Sequence, residues 1–313
     1  MYKKYLSKVK AIAHTIWQNK AIVILLALLG IILIITAPNL SIITGGPAII
    51  RIVREPNAYC TFTAINSNDS RYNVSIADGY PVLIAALKEG KLDAAILPAQ
   101  YLNEFDNDEI SVLAATSYLN LVVVENGYTI YSLADLNGRS VIMQESIENL
   151  LESKMLSLLI SKANIHVDIT YESDEQIYKK AQESNFEVMI LKPYQCAQVL
   201  LENDSYRSCF NLANQWYGLM GTQPPAGCFI VARNEIIDAK TSNLADFLAG
   251  VKSSINFIND KHKKATTLIA KSGLGEDTVT ILKAIPHYMY TYLDGDSLND
   301  SLEQLKLLQS TTP

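Results

Sequence analysis

The sequence predicts an α/β protein with two lobes, preceded by one helix that spans a membrane. After residue 40, short runs rich in β-branched residues alternate with longer amphipathic stretches. This alternation is typical of largely parallel sheets with helices on both faces. It restarts near residue 135, which indicates a second unit of the same kind. Ahead of both units, residues 21–37 contain no charged side chain, which indicates the membrane helix.

The composition is that of a folded chain of about two domains. It has 313 residues, of which 49% are hydrophobic and 19% charged, so it can bury a large core. Residues 1–37 contain five lysines and no acid, although the formal net charge of the whole chain is −6. The remainder holds all 32 acidic residues and 21 basic ones, a net charge of −11. A surface this acidic, without a basic stripe, argues against binding to nucleic acid.

Residues 17–37 are long enough to cross a bilayer as a helix, since they span about 31 Å at about 1.5 Å per residue. The lysines of this region precede the apolar run, so the positive-inside rule places residues 1–20 in the cytoplasm and the rest outside. We therefore expect residues 1–39 to be a basic cytoplasmic segment and a single-pass membrane anchor. A cleavable signal that ends at Ala37 is the alternative.

Four cysteines lie in the part expected outside the cell: Cys60, Cys196, Cys209 and Cys228. Their spacing matches no metal site, because there is no CxxC motif and no histidine at ligand spacing. We expect no metal and no cofactor. An oxidising exterior permits one disulfide, for which Cys196 and Cys209 are the first pair to test, and buried free thiols are the alternative.

Turn residues bound the predicted elements. Residues 81–89 place apolar side chains at helical spacing, Gly90 ends this helix, and the following strand 93–97 stops at Pro98. The other predicted strands are 41–44, 60–65, 110–115, 121–124, 140–143, 166–170, 188–191, 209–212 and 227–232. The other predicted helices are 47–54, 148–162, 175–184 and 194–202, and residues 244–308 are predicted to be helical.

Five segments resemble substrate-binding proteins of ABC importers in the nitrate, sulfonate, taurine and thiamine-precursor group. Leu87–Tyr101 (LKEGKLDAAILPAQY) is similar to the signature of that group, in which a helix end and a glycine lead to a D-A-A-x-L-P pattern. Leu133–Val141, Glu187–Pro193, Pro225–Arg233 and Lys283–Pro286 match in the same order. The resemblance implies the two-lobed periplasmic-binding-protein type 2 fold, with two parallel-rich sheets and flanking helices joined by two hinge strands.

The same resemblance implies a domain division and a function. Lobe one would be residues 40–124 with 215–313, and lobe two residues 125–214. The hinge strands would lie near Val122–Glu125 and Asn211–Gln215. The protein would be a monomeric receptor that closes on a small organic metabolite and delivers it to an ABC permease and its ATPase.

Candidate ligand contacts lie in loops that follow the strands, because ligands of open parallel sheets bind at the carboxyl ends of strands. The candidates expected from lobe one are Thr44, Gly45, Gly46, Pro98, Tyr101, Thr116 and Ser117. The other candidates are Gln144, Glu145, Ser146, Lys192, Tyr194 and Trp216. Several also have a purely structural interpretation: a tight turn for the glycines, core packing for the aromatic residues, helix capping for Glu145, and simple solvent exposure for Thr116, Ser117 and Lys192.

One feature departs from the resemblance. The family has a glycine-rich loop that contacts the ligand in lobe two, but this sequence has no glycine between Gly138 and Gly218. Glu145 and Glu148 stand there instead and would disfavour an anionic ligand, unless they only cap the helix. The departure leaves a membrane-anchored sensor or interaction domain as an alternative. An enzyme related to thiamine-precursor synthesis is a further alternative, although no GxSxG, HExxH or P-loop pattern occurs, so we expect no enzymatic activity.

Overall fold

The computed structural model describes residues 46–67, 69–106 and 108–310. Contacts between residues divide the chain into two units, Met1–Gly46 and Pro47–Pro313, and every element named below belongs to the second. The predicted membrane span, residues 17–37, and the predicted strand 41–44 lie outside the described residues. No helix of the described residues has both the length and the apolar character that a bilayer crossing requires.

Two mixed sheets with flanking helices make up this unit. Its strands are β1 (Ala48–Val53), β2 (Tyr72–Ala77), β3 (Ala94–Pro98), β4 (Ile110–Tyr118), β5 (Val122–Asn126), β6 (Arg139–Gln144), β7 (Val167–Glu172), β8 (Val188–Leu191), β9 (Tyr206–Asn211), β10 (Ala226–Arg233) and β11 (Tyr290–Leu293). Its helices are α1 (Phe62–Asn66), α2 (Tyr80–Lys88), α3 (Leu151–Ala163), α4 (Asp174–Gln182), α5 (Pro193–Glu202), α6 (Leu212–Met220), α7 (Asn234–Ile237), α8 (Thr241–Asp260), α9 (His262–Lys271), α10 (Thr278–Ala284) and α11 (Gly295–Ser310). Short 3-10 helices cover Pro56–Thr61, Ala99–Glu104, Leu133–Leu136, Glu145–Ile147 and Ile285–His287.

The first sheet has six strands in the order β11-β4-β10-β3-β1-β2. Strand β1 is parallel to β2 and β3, and Ile50 lies opposite Val74. Strand β10 is antiparallel to both β3 and β4, so β3 and β4 run in the same direction. The carboxyl ends of β1, β3 and β4 therefore meet at one edge of the sheet.

The second sheet has five strands in the order β7-β6-β8-β5-β9. Strand β6 is parallel to β7 and β8, whereas β5 is antiparallel to β8 and β9. Val123 of β5 lies opposite Ile190 of β8, and both side chains are fully buried. The loops after β6 and β8 leave this sheet at one edge, where helix α5 begins.

The chain crosses between the sheets twice. It leaves β4 for β5 through residues 119–121 and returns from β9 to β10 through α6. The two crossings are bonded to each other, because the Leu119 N–H donates to the Pro225 carbonyl at 2.8 Å and the Leu212 N–H to the Leu121 carbonyl at 2.9 Å. The prediction of a hinge strand near Asn211–Gln215 was wrong, because β9 ends at Asn211 and helix α6 begins at Leu212.

The start of the first sheet differs from the prediction. Residues 48–53 form strand β1 rather than a helix, and residues 60–65 belong to a 3-10 helix and α1 rather than to a strand. Strand β1 reads AIIRIV, a nearly continuous apolar run interrupted only by Arg51, and such a run has no period that separates a strand from a helix.

The other strands expected from the sequence appear as β3 to β10, with ends moved by a few residues. Strands β2 and β11 were not predicted. Both are edge strands, and β2 carries polar side chains such as Asn73 and Ser75, which weakens the apolar pattern. Strand β11 has only four residues and interrupts the predicted C-terminal helical region.

One apolar cluster extends from the first sheet to the second. It includes Leu97 of β3 and Val123 of β5, and it passes through Leu121, Leu212 and Trp216 at the crossings. These five side chains are completely buried. The two crossings between the sheets therefore pack on a shared apolar core.

Candidate functional site

A cavity of about 760 Å³ lies where the loops of both sheets face each other. Its walls come from three parts of the chain. The first sheet contributes Arg54–Asn57, Tyr59, Tyr80, Pro98, Gln100, Tyr101, Ser117–Asn120 and Gly227, the second contributes Glu152 and Lys192–Gln195, and the C-terminal region contributes Leu274–Asp277, Ile281 and Tyr288. A volume of this size is typical of a site for a small organic molecule.

The loop after β1 forms the first wall. Glu55 precedes the 3-10 helix that begins at Pro56, a position where proline suits the first turn. The Tyr80 hydroxyl donates a hydrogen bond to Glu55 Oε2 at 3.0 Å and so fixes this carboxylate. Sequence reasoning missed this loop because it placed a helix over residues 47–54. The β-branched run before Pro56 was the available signal.

Because β1 covers residues 48–53, the predicted glycine loop precedes a strand rather than a helix. Gly46 precedes β1, so it lies at the end of the strand away from the cavity and is not one of its lining residues. Thr44 and Gly45 lie outside the described residues. Of the predicted ligand loop at residues 44–46, the structure describes only Gly46, and Gly46 does not line the cavity.

The carboxyl ends of β3 and β4 and the 3-10 helix after β3 bring three predicted residues into the cavity wall: Pro98, Ser117 and Tyr101. The ring of Tyr101 packs on that of Tyr80 with centroids 4.8 Å apart, so the two form one aromatic surface. Thr116 is different, because it is buried and its hydroxyl donates to the Cys228 carbonyl at 3.5 Å. Thr116 holds β4 to β10 and does not line the cavity.

The loop after β8 forms the wall on the second sheet. Lys192 and Tyr194, both predicted, line the cavity together with Gln195 at the start of α5. Gln144 is a positioning residue: its side chain accepts from the Lys192 N–H at 2.7 Å and donates to Asp174 at 2.9 Å. It thereby fixes the loop from which Tyr194 projects.

Three other predicted residues are not in the cavity wall. Glu145 and Ser146 are exposed and lie outside the lining, because the loop after β6 turns into a short 3-10 helix. Trp216 is completely buried in the core, where its indole N–H donates to the Thr222 hydroxyl at 3.2 Å. Trp216 therefore packs in the core, which was the structural alternative that the sequence left open for it.

The third wall, from the C-terminal region, was not anticipated. Asp277 caps α10, since its Oδ1 accepts from the backbone N–H groups of Val279 and Thr280, both at 3.1 Å. Hydrogen bonds from Thr280 and Val279 hold the pKa of Asp277 below its usual range. Gly275 allows a close approach, because a Cβ there would lie 3.0 Å from the Tyr59 hydroxyl. The Gly-Glu-Asp sequence before an apolar run was the available signal for this cap.

The lining combines six tyrosines with an excess of carboxylates. Glu55, Glu152, Glu276 and Asp277 face only two cations, Arg54 and Lys192. Arg54 is 3.9 Å from Glu276, and both side chains are largely exposed. Burial raises the pKa of the hydroxyls of Tyr59 and Tyr288 well above the usual value, so both stay protonated. The cavity therefore offers neutral hydroxyls, aromatic faces and negative charge.

All four cysteines are free thiols. Cys196 packs in the cluster that contains Val122 and Val124, while Cys209 packs against the cluster that contains Val123. These valines alternate along β5, so the two thiols lie on opposite faces of the second sheet. This explains why the disulfide pair considered from the sequence does not form.

Several solved structures share this architecture, although no protein-family model and no curated protein sequence matches the chain. A protein described as an ABC transporter from Parabacteroides distasonis matches with a TM-score of 0.65 and 14% identity, over 86% of this chain and 94% of that one. The periplasmic aliphatic sulphonate binding protein from Escherichia coli matches with a TM-score of 0.59 and 15% identity, over 84% and 87%. The ligand-binding component of an ABC-type import system from Staphylococcus aureus matches with a TM-score of 0.55 and 13% identity, over 84% and 90%.

The chain has the fold of the binding proteins of ABC transporters. The two-sheet fold expected from the sequence resemblance is thereby confirmed, and both sheets are mixed. At these identities the similarity concerns the fold alone.

Proposed function

We propose that this protein is the extracytoplasmic solute-binding component of an ABC importer and that it binds a small organic metabolite. The observation that supports this most directly is the cavity, whose walls come from loops of both sheets. We propose lobe boundaries at residues 40–124 with 215–313, and at 125–214. The crossing segments would then be the hinge.

The proposed mechanism is hinge closure. A ligand seated on the loops after β1, β3 and β4 gains its remaining contacts from Lys192 and Tyr194 only when the second lobe closes. Only contacts that are unique to the closed form shift the balance between open and closed lobes. Helix α5 packs against α10 and α3 packs against α11, so the helices of the second sheet already contact the C-terminal region.

The proposed setting follows from the sequence. Residues 17–37 would anchor the protein in the cell membrane, with the binding unit outside as a monomer. The closed receptor would dock on an ABC permease, whose ATPase drives release and import. We propose a binding role without catalysis, in keeping with the proteins that share this fold.

Native mass spectrometry of the full-length chain, purified from its own host in detergent, tests the binding role. We expect one co-purified small molecule per chain. Tyr194→Ala should abolish co-purification, because Tyr194 lines the cavity. Tyr217→Ala is the matched control, because that side chain is 64% exposed and outside the lining.

Two results would contradict the proposal. One is a chain that carries no small molecule and is not stabilised by any compound in a broad metabolite screen, which would favour the interaction-domain alternative. The other is equal co-purification in both tyrosine variants, which would place the ligand outside this cavity.

A further inference from the structure

One carboxylate oxygen of the cavity has no partner. Glu152 Oε2 is shut off from solvent and accepts no hydrogen bond from the described residues. Glu152 stands in the first turn of α3 and lines the cavity. A buried carboxylate without a partner is costly, so such a group is typically completed by a ligand, an ion or water.

A second unpaired group lies in another wall. The Tyr288 hydroxyl is also buried and has no hydrogen-bond partner among the described residues. The Tyr288 ring meets the Tyr59 ring edge to face, with centroids 6.2 Å apart. Tyr194 lines the same cavity from the second sheet. Aromatic faces and a carboxylate that line one cavity suit a ligand with a positively charged nitrogen, since a cation is attracted both to the carboxylate and to a ring face.

The balance of charge in the lining opposes an anion. Arg54 is already close to Glu276, which leaves Lys192 as the lining cation that forms no ion pair with a described residue. Glu55, Glu152 and Asp277 remain as carboxylates without an ion pair among the described residues. An anionic ligand would therefore meet more negative than positive charge, whereas a cation would satisfy Glu152.

We infer that this cavity takes a small organic molecule that carries a protonated or quaternary nitrogen, which pairs with Glu152 while the body of the molecule packs on the tyrosines. This rests on the proposed function, since it assumes that the cavity is a ligand site. Lys192 also lines the cavity and could pair with a carboxylate or sulfonate of the same molecule, so zwitterions belong to the inferred class and pure anions do not.

Thermal unfolding of the full-length chain with probes sorted by charge tests the inference. The cations are choline, phenethylamine and spermidine, the zwitterions are taurine and phenylalanine, and the anions are benzoate and ethanesulfonate. We expect the unfolding temperature to rise with at least one cation or zwitterion and with neither anion. A rise with an anion would overturn the inference while leaving the binding role intact. No rise with any probe, combined with no co-purified molecule, would overturn both.

A matched pair of variants assigns the nitrogen to its partner. Glu152→Gln keeps the size of the side chain and removes the charge, so titration calorimetry should show binding of the active probe weakened by about 10-fold or more. Glu148→Gln, at an exposed position outside the lining, should leave the affinity unchanged. Without probe, Glu152→Gln should unfold at the same or a higher temperature, because it removes an unpaired buried charge. Equal affinities in both variants would overturn the role of Glu152 while leaving the cavity as a ligand site.

Discussion

The ammonium group of Lys240 lies 2.6 Å from Oδ2 of Asp93, and both side chains are 1% exposed. The same carboxylate oxygen accepts the Ile49 N–H at 2.7 Å, and the guanidinium of Arg233 is 3.7 Å from Oδ1. Asp93 thus ties the start of β1 to β3 and to the region before α8. Asp93 is the first residue of the D-A-A-x-L-P pattern and lies at the amino end of β3, and it does not line the cavity, so its role is to stabilise the sheet that positions the cavity loops.

Asp93→Asn is expected to destabilise the protein by about 3–5 kcal/mol, because it leaves the buried ammonium group of Lys240 without its counter-charge. The urea midpoint of the full-length chain measures this. Asp260→Asn, at an exposed helix end, is the control and should change the midpoint little. A similar midpoint in both variants would show that the buried pair contributes no net stability.

The pH dependence of stability should depend on Glu125. This carboxylate is fully buried, and it accepts hydrogen bonds from the Arg207 guanidinium at 2.6 Å and from the Thr129 N–H at 2.7 Å. Burial alone raises the pKa of Glu125, but the hydrogen bonds from Thr129 and Ile130 and the charge of Arg207 outweigh burial, so its pKa lies below the usual value. The stability from Glu125 is therefore present above about pH 4.5 and is lost as the pH falls through the folded-state pKa.

Glu125→Gln should accordingly be less stable than the unmodified chain at neutral pH, and the difference should shrink as the pH falls towards the acid range. Thermal unfolding at a series of pH values measures both curves. A constant difference across that series would contradict the assignment.

Gly227→Ala should destabilise the protein by about 1–3 kcal/mol. A Cβ at this position would lie 3.0 Å from the backbone of Tyr118 and Leu119, which cannot move without shifting the crossing segment. Gly218→Ala in α6 is the control: nothing lies within 4 Å of a Cβ there, so it should be neutral or stabilising by up to about 1 kcal/mol. Urea midpoints compare the two, and equal effects would contradict the close packing at Gly227.

Trp216 should matter for stability rather than for ligand contact. Trp216→Ala removes a completely buried side chain and should cost about 3–5 kcal/mol, measured by urea unfolding. Trp216→Phe should keep the co-purified small molecule that Tyr194→Ala loses. A stable Trp216→Phe protein without that molecule would mean that the indole contacts the ligand after all.

The thiols should be unreactive in the folded protein. Burial raises the pKa of Cys196 and Cys228 to about 12 and that of Cys209 to about 11. Iodoacetamide at pH 8 should therefore label the native chain slowly, at Cys209 first, because it is the cysteine that is partly exposed. The intact mass after alkylation in urea without reductant should show four labelled thiols. A mass that corresponds to only two labelled thiols would instead reveal a disulfide.

Local patterns predicted most of the architecture. Residues 188–191 form a strand without any shift of its ends, and Pro98 and Tyr101 lie where the D-A-A-x-L-P pattern places them. The prediction of a helix over residues 47–54 was wrong, because a short and nearly continuous apolar run has no period that separates a strand from a helix. That single error moved the expected ligand loop from residues 54–57 to 44–46.

Patterns along the chain were enough to predict the alternation of strands and helices and the loops that follow β3, β4 and β8, since these features depend on near neighbours in the sequence. Which side chains line the cavity together depends instead on packing between distant segments. Glu152, Tyr59 and Asp277 come from three distant segments, and Trp216 turned inward although its neighbours suggested a ligand wall. These long-range contacts depend on how the sheets and helices pack. No periodic pattern within a single segment of the sequence predicts them.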